Sequence, residues 1–503
     1  MSEKIATASS STAARRIFQI VPGGASGGCG TKGGSGKSGC GSAAGQSDLP
    51  NNLWDRIKDH PCYSEEAHHH FARMHVAVAP ACNIQCNYCN HKYDCSNESR
   101  PGVVSEKITP EQAARKVLAV IARVPQLSVV GIAGPGDALA NAEKTFRTFD
   151  LIQKSVPDIK LCLSTNGLAL PEYVDTIRNF NIDHVTITIN MVDPEIGARI
   201  YPWIFYRNQR WTGLDAAKIL TERQMEGLEA LTFAGVLVKV NSVMIPGVNN
   251  DHLREVNKAV KARGAFLHNI MPLLSDPAHG THYGLTGQRG PTSAELKALQ
   301  DACEGDMNLL RHCRQCRADA VGLLGKDLFA DFTLDKLEVE PEYSPDTRRI
   351  YREFVEKEQA DQRAARTQEL KKLAGVWSDL KIQVAVTTKG SGRINEHFGH
   401  ANEFQIYEVS TSGAKFVGHR KIEHYCMGGN EEVKVMPAIL EALQGCVAVL
   451  VAKIGHCPRS DLEAAGIEAV SDYAHEYIET SALRYFERYL ARMERTNPVQ
   501  VAA

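Results

Sequence analysis

Between Met74 and Leu273 the chain repeats one pattern that leaves few folds open: short β-branched runs, each followed by a helical stretch. The runs are MHVAVA (74–79), LSVVGIA (127–133), IKLCLS (159–164), HVTITI (184–189), VLVKVNSVMI (236–245) and FLHNIMPL (266–273). Between the first two lies TPEQAARKVLAVIARV, where Thr109 and Gln112 have capping-box spacing and Pro110 takes the first helical position. Ala114, Val117, Leu118 and Ile121 form its apolar stripe. A later helix is predicted after Asn250, with Leu253, Val256 and Val260 on one face and Gly264 as its stop. Parallel strands need long crossovers, usually helices, so the alternation predicts a parallel sheet, open or curled into a partial barrel. Ligands in such folds gather at the C-terminal ends of the strands.

The flanks differ in character. Residues 1–50 are rich in Gly, Ser and Ala and hold too few apolar side chains to offset the entropy of ordering, which predicts a disordered leader. Its TKGGSGKS imitates a phosphate-binding loop, but Thr31 stands where that pattern requires glycine and no apolar strand precedes it. Residues 51–330 hold the alternating core. Residues 331–378 are highly charged with few large apolar side chains, which predicts a solvated helical linker. From 379 to 503 the strands LKIQVAVTTK, NEFQIYEV and CVAVLVAK and the helix MPAILEALQG predict a second, smaller α/β domain. No apolar run approaches the ~18 residues of a spanning helix, and the N-terminus lacks a signal-peptide core. A net charge of −2 gives no electrostatic case for nucleic acid or membrane partners. A cytoplasmic protein is the expectation.

The chain has 14 cysteines, too few for a disulfide-built scaffold at 503 residues, and in a reducing compartment clustered thiols are metal ligands or redox groups. Cys82, Cys86 and Cys89 have the spacing C-x3-C-x2-C directly after the first strand, with Tyr88 before the last and Cys95 close behind. Three thiolates hold three irons of a [4Fe–4S] cube and leave the fourth open for chemistry. The alternative is a closed zinc or electron-transfer site with Cys95 as the fourth ligand. Cys162 read alone is strand packing, Cys313-x2-Cys316 alone is a zinc half-site, and Cys303 sits in an amphipathic pattern as a small core residue.

The loop resembles that of the radical S-adenosylmethionine (SAM) enzymes. The resemblance implies a partial (β/α)6 radical-SAM barrel, in which the open iron chelates the amino and carboxylate groups of SAM and an electron releases a 5′-deoxyadenosyl radical. AGPGDAL (133–139) is similar to the family's SAM-contacting segment, with Gly134 and Gly136 allowing close backbone approach and Asp137 meeting the amino group. TITIN (186–190) offers Thr188 and Asn190 to the ribose or carboxylate, and Tyr88 joins these cofactor contacts. VNSVMIPGVNN (240–250) is similar to the fifth strand and its loop.

Two longer stretches, HPCYSEEAHHHFARMHVAVAPACNIQCNYCNHKYDCSNESRPG (60–102) and HCRQCRADAVG (312–322), resemble the NifB-type family of nitrogenase cofactor biosynthesis. That resemblance implies two further [4Fe–4S] clusters as substrates, fused into an eight-iron, carbide-centred precursor with a ninth sulfur. It assigns His75, Cys95 and Cys162 to one substrate cluster and Cys62, Cys313 and Cys316 to the other. One SAM would donate a methyl group to a sulfide and a second would generate the radical that abstracts hydrogen from it, a lyase-type use of the cofactor. Glu98 and Arg100, in ESRP, would order the loop or assist proton movement. The HHH of 68–70 is expected on a polar helical face, with no ligand role. The partners implied are an iron–sulfur cluster donor protein, an electron donor such as a ferredoxin, and nitrogenase cofactor carrier or scaffold proteins.

Residues 382–470 resemble the NifX-type carrier domain, which implies an RNase H-like α/β fold and makes His397, His400 and Cys457 candidate contacts for the product. A plain polar loop at EHFGH is the alternative. Two other functions compete: a radical SAM enzyme with permanent auxiliary clusters acting on a peptide or small molecule, and a non-catalytic iron–sulfur scaffold.

Overall fold

The computed structural model describes residues 51–90, 103–180, 182, 184–304, 307–337, 341, 344–374, 379–422 and 432–496. Each of the six apolar runs meets a strand: β1 Ala72–His75, β2 Leu127–Ile132, β3 Lys160–Thr165, β4 His184–Thr188, β5 Leu237–Met244 and β6 Leu267–Pro272. They pair in parallel and in chain order. A short β7, Val321–Gly322, runs antiparallel on the outer edge of β1. The first strand begins earlier and ends sooner than its run of hydrophobic residues suggests. Val78 N–H bonds back to the Val76 carbonyl at 3.0 Å, a tight local turn that ends the ladder.

The crossovers are helices: α1 Pro110–Arg123, α2 Ala142–Ser155, α3 Val174–Asn179, α4 Gly213–Phe233 and α5 Leu253–Ala262. Thr109 and Gln112 close the expected capping box on α1, with bonds of 3.2 and 2.8 Å. Beyond β6 the chain adds α6, Ser293–Glu304. Sequence reading missed a hairpin, Trp203–Tyr206 and Gln209–Thr212, whose turn residues Arg207 and Asn208 both have positive φ (51° and 58°). That turn geometry is usually signalled by Asn-Gly or Asp-Gly, neither of which is present. The hairpin pairs with Ile84–Gln85 and so holds the middle of the cysteine loop.

The two faces of the large sheet are unlike. Val130, Ile132, Leu161, Leu163, Val185, Ile187, Val238 and Val240 share one apolar cluster with Val117, Phe149, Ile177, Leu228 and Val256 of the helices. The inner face carries His75, Cys162, Ser164, Thr186, Thr188, Lys239 and Asn241, which line a cavity that the sheet curls around. Sheets of this class are usually apolar on both faces, and burying polar groups costs free energy unless they are paired. The polar face therefore marks the site.

Past the core, α7 (Pro345–Leu373) leads to a mixed five-stranded sheet. Its strands are β8 Ile382–Val386, β9 Glu403–Ser410, β10 Gly413–Lys421, β11 Cys446–Leu450 and β12 Glu468–Val470, in the spatial order β10-β9-β8-β11-β12. Helices α8 Glu432–Ala442, α9 His456–Ala464 and α10 Ile478–Thr496 accompany it. Both sheets belong to one compact unit, Gly41–Ala503. α7 is not solvated on all sides. Arg348 pairs with Asp158 at 3.0 Å and Arg363 with Glu66 at 2.8 Å on the core, while Arg366 reaches Glu479 at 2.8 Å in α10.

The three histidines at 68–70 also depart from expectation. They are buried, because α7 and the C-terminal sheet cover them: Tyr351 donates to the His70 carbonyl at 2.7 Å, and Ser391 N–H donates to that of His69 at 3.1 Å. No helix among the described residues is long and apolar enough to cross a membrane.

Burial holds many imidazoles neutral. His69 and His268 are pushed down to about 3 and His70 and His312 to about 4, in each case chiefly by loss of solvent. Unfolded histidines take up protons near pH 6.5, whereas these do so only well below it. Their contribution to stability is thus complete above pH 6.5 and is lost as pH falls toward 4, each costing about 1.4 kcal/mol per pH unit crossed. The thermal midpoint of the metal-free protein should drop steeply over that window. A flat profile from pH 6.5 to 4 would contradict the burial described.

Candidate functional site

The cysteine loop stands on a backbone staple. Gly136 N–H donates to the Ala79 carbonyl at 2.7 Å and Asp137 N–H to that of Ala81 at 2.8 Å. Asn141 donates to the same Ala81 carbonyl at 2.8 Å and accepts from Ala81 N–H at 3.2 Å. A Cβ on Gly136 would lie 2.1 Å from the Ala81 oxygen, so no other residue fits there. Gly136 thus makes room for the cysteine loop, and it also lines the cavity beside the triad. Gly134, at φ +144°, packs against Ala318.

Above the staple, Cys82, Cys86 and Cys89 border one end of a cavity of about 250 Å³. The Gln85 amide braces the loop, donating to the carbonyls of Cys86 and Cys89 at 2.9 and 3.1 Å. Burial pushes the Cys82 thiol up to about 12, and Cys86 is raised in the same way. Among the described residues no three His, Cys, Asp or Glu side chains converge on a single ion, so the thiols border a volume. That donor set suits a cube of metal and sulfide. Three soft thiolates bordering one space are the ligation such a cluster takes, and binding it would displace their protons.

The neighbouring predicted contacts divide into two groups. Tyr88 and Thr188 line the cavity, beside Thr165 and Asn166. Asn190 does not: it is fully buried, donating to the Tyr88 and Tyr201 hydroxyls at 2.8 Å each and accepting from Val243 N–H at 2.7 Å. It orients Tyr88 rather than reaching a ligand. Asp137 lies on the cavity wall, but its carboxylate already accepts from Leu139, Ala140 and Asn166 N–H and from the Thr165 hydroxyl, at 2.6–3.1 Å. These bonds make it a turn anchor on the cavity wall.

The other end of the cavity gathers His75, Cys62, Cys162, Cys313 and Cys316. In the sheet register His75 lies beside Gly131 and Gly131 beside Cys162. A Cβ on Gly131 would come within 3.2 Å of the His75 ring, so this glycine makes room for the ring on the inner face. His75 Nδ1–H donates to the Arg317 carbonyl at 2.9 Å, and burial lowers the imidazole to about 4. A neutral ring with Nδ1 so held presents Nε2 as a free donor. Burial pushes Cys62 up to about 12 and raises Cys162 and Cys313, while Lys239 opposes all three shifts.

Lys239 and Arg73 escaped the sequence reading. Strand alternation in VLVKVNSVMI puts Lys239 on the inner face with Asn241 and Val243, a signal that was available. Burial alone would lower its ammonium, but Cys62, Cys162, Cys313 and Cys316 around it raise it. Arg73 Nε lies 3.2 Å from the Cys316 sulfur. Both cations favour the thiolate forms that metal binding requires. Cys95, Glu98 and Arg100 lie outside the described residues. His397, His400 and Cys457 line neither this cavity nor its neighbour; the two rings stand 4.9 Å apart and Cys457 is exposed.

A three-cysteine loop after the first strand of a curled parallel sheet defines a radical SAM domain. The family model Radical SAM superfamily matches residues 76–260, and Dinitrogenase iron-molybdenum cofactor matches 380–488. The chain is 65% identical over 469 residues to the FeMo cofactor biosynthesis protein NifB of Herbaspirillum seropedicae, covering 93% of this chain and 89% of that one. It is 62% identical to the NifB protein of Bradyrhizobium diazoefficiens, over 93% and 94% of the two chains. A solved structure, the FeFe-hydrogenase maturase HydG from Carboxydothermus hydrogenoformans, is similar at 13% identity and a TM-score of 0.34 over 47% of this chain and 52% of that one. That likeness is too distant to add weight. This chain belongs to the NifB family of FeMo cofactor biosynthesis proteins.

Gly136→Ala should sever the staple while leaving every cysteine in place. Reconstituted protein should then lose most of the iron bound by the triad, read as iron per chain and cluster absorbance. Unchanged iron would show that the loop stands without it.

Proposed function

We propose that this chain is a radical SAM enzyme that joins two [4Fe–4S] substrate clusters, with a carbon from SAM and one additional sulfur, into the eight-iron precursor of the nitrogenase cofactor. The observation that supports this best is a single cavity bordered at one end by the triad thiols and at the other by five more ligand-type side chains. A purely structural cluster has no use for a space shared with so many spare ligands. Held by Cys82, Cys86 and Cys89, a [4Fe–4S] cluster would supply the electron that cleaves SAM to a carbon radical.

The chain's own residues then have definite tasks. Gln85 and the hairpin fix the triad loop, and Tyr88, Thr165, Asn166 and Thr188 offer polar contacts to SAM beside it. Cys62, Cys313 and Cys316 hold one substrate cluster, whose sulfide accepts the methyl group. His75 and Cys162, with Cys95, hold the other, and His75 Nε2 is the donor that its backbone-bonded tautomer leaves free. Lys239 and Arg73 offset the charge that thiolates and sulfides bring into a buried space. Ile84, Val243, Met271 and Leu273 line the same cavity with apolar surface, which protects a radical by excluding water. Glu98 and Arg100 order the loop or move protons.

Residues 379–503 would act as a carrier domain for the product, joined to the 51–330 core by the 331–378 linker. The setting proposed is the cytoplasm, with a cluster donor protein, a ferredoxin-type reductant and cofactor carrier proteins as partners.

Anaerobic incubation of the fully reconstituted chain with SAM and dithionite should yield both 5′-deoxyadenosine and S-adenosylhomocysteine. Only one of the two would remove the double use of SAM, and neither would favour the scaffold reading. Cys316→Ala should keep the triad cluster and lower bound iron by about one cube; unchanged iron would take that cysteine out of the ligand set.

A further inference from the structure

Behind the substrate end lies a second cavity of about 310 Å³. Asn269, Met271, Pro272, Leu274, Cys313 and Gln315 border both spaces, so one layer of side chains separates them. The far wall belongs to the C-terminal sheet: Ile406 on β9 and the 417–421 stretch of β10. Five cationic side chains line it, namely Lys297, Arg311, Arg314, Arg420 and Lys421, and no Asp or Glu does. Carboxylates stand behind three of them. Arg311 pairs with Asp301 and Glu304 at 2.6 and 3.0 Å, Lys297 with Asp301 at 2.5 Å, and Arg314 with Glu403. Arg420 donates to the Ala442 and Gln444 carbonyls at 2.8 and 2.6 Å, and Lys421 makes no ion pair among the described residues. With Glu408 also 3.7 Å from Lys297, the positive character of the cavity rests on Arg420 and Lys421, which have no carboxylate partner among the described residues.

The partition is the segment that carries two of the proposed ligands. Residues 313–316 lie in neither helix nor strand. Gln315 sits at φ +49°, a left-handed conformation that costs a non-glycine residue free energy, and its side chain holds the Pro272 carbonyl at 3.1 Å. Arg314, between Cys313 and Cys316, makes a two-pronged ion pair with Glu403 at the start of β9. The C-terminal sheet thus grips the loop that holds the substrate cluster.

We infer that the second cavity is a receiving site for the anionic eight-iron product, entered from the cluster cavity past the 313–316 loop. This rests on the function proposed above. A sulfide-rich cluster is a compact anion, drawn to a cation-lined space without carboxylates. SAM, with its sulfonium, and neutral 5′-deoxyadenosine are not. On transfer the iron bonds to Cys62, Cys313 and Cys316, and those to His75, Cys95 and Cys162, break heterolytically, each electron pair staying on the protein ligand. The thiolates stay with the chain and take up protons, and water or the lining His419 imidazole fills the vacated iron positions, with no change of oxidation state. Emptied in this way, the core can load again before the first product leaves the protein.

The test uses the full chain, reconstituted and given SAM and dithionite without any acceptor protein. After the first burst of 5′-deoxyadenosine, ferrous iron, sulfide and SAM are added again. Wild type should give a second burst comparable to the first, with the additional iron co-eluting with the chain. Lys421→Glu combined with Val417→Asp should lower the ratio of second to first burst on the order of tenfold, since both place carboxylates in the cavity. Taking the ratio cancels differences in folding and loading. Lys421→Glu alone, at an exposed side chain, serves should the double variant not fold. An equal ratio in variant and wild type overturns the inference, as does a normal first burst in wild type with no second, or product iron found free in solution. Absence of any first burst in wild type is a different failure: it removes the enzymatic reading itself.

Discussion

The contact of Gly136 with Ala81 is the constraint on which the site depends. Two stretches that must diverge, one leading into the cysteine loop and one leading off β2, are held together by backbone hydrogen bonds at a separation that only a missing Cβ permits. The loop between Ala81 and Asn90 has almost no regular structure of its own. Its geometry is borrowed from this staple below and from the Trp203–Thr212 hairpin above. A loop fixed at both its root and its middle can hold three thiols apart without metal. That limits the ordering entropy that binding must overcome.

Burial and charge then act against each other in a useful way. Every thiol with a resolved shift in the cavity is raised by loss of solvent, so the empty site is largely protonated and does not accumulate unpaired negative charge. Lys239 and Arg73 temper that only at the end bearing His75, Cys162 and Cys316. The triad end, by contrast, has Asp137 nearby, which raises Cys82 and Cys86 further. The two ends of one cavity thus differ in electrostatic character. At the end with cations, Lys239 and Arg73 partly offset thiolate charge; at the triad end nothing of that sign among the described residues opposes Asp137.

Much of this was readable in the chain. Strand runs and the capping box at Thr109 are local signals, and local signals survived folding. The C-x3-C-x2-C loop was legible because its spacing and its place after a strand occur together. What failed had a common cause. Asn190 sits at a strand end, where a polar side chain serves either a ligand or the backbone, and only the three-dimensional partners decide. The histidines at 68–70 were assigned to a polar face because the partner that buries them, the C-terminal sheet, is more than three hundred residues away. Lys239 was the avoidable miss, since a period-two reading of its strand turns it inward.

The charged helix α7 had been read as a spacer, yet its ion pairs fix where the second sheet sits relative to the first. Arg348 and Arg363 hold the core side, and Arg366 and Glu358 hold the other. Individually such pairs contribute little where they are exposed, but Arg348 is buried and holds Asp158 at 3.0 Å, beside Arg352 at 2.9 Å. With the sheet so placed, Glu403 reaches Arg314, and the loop bearing Cys313 and Cys316 is shaped from outside the core. A free carrier domain on a flexible tether would make that contact only intermittently. The ion pairs of α7 hold the two sheets in register, and so let a strand of one shape the loop bearing Cys313 and Cys316 in the other.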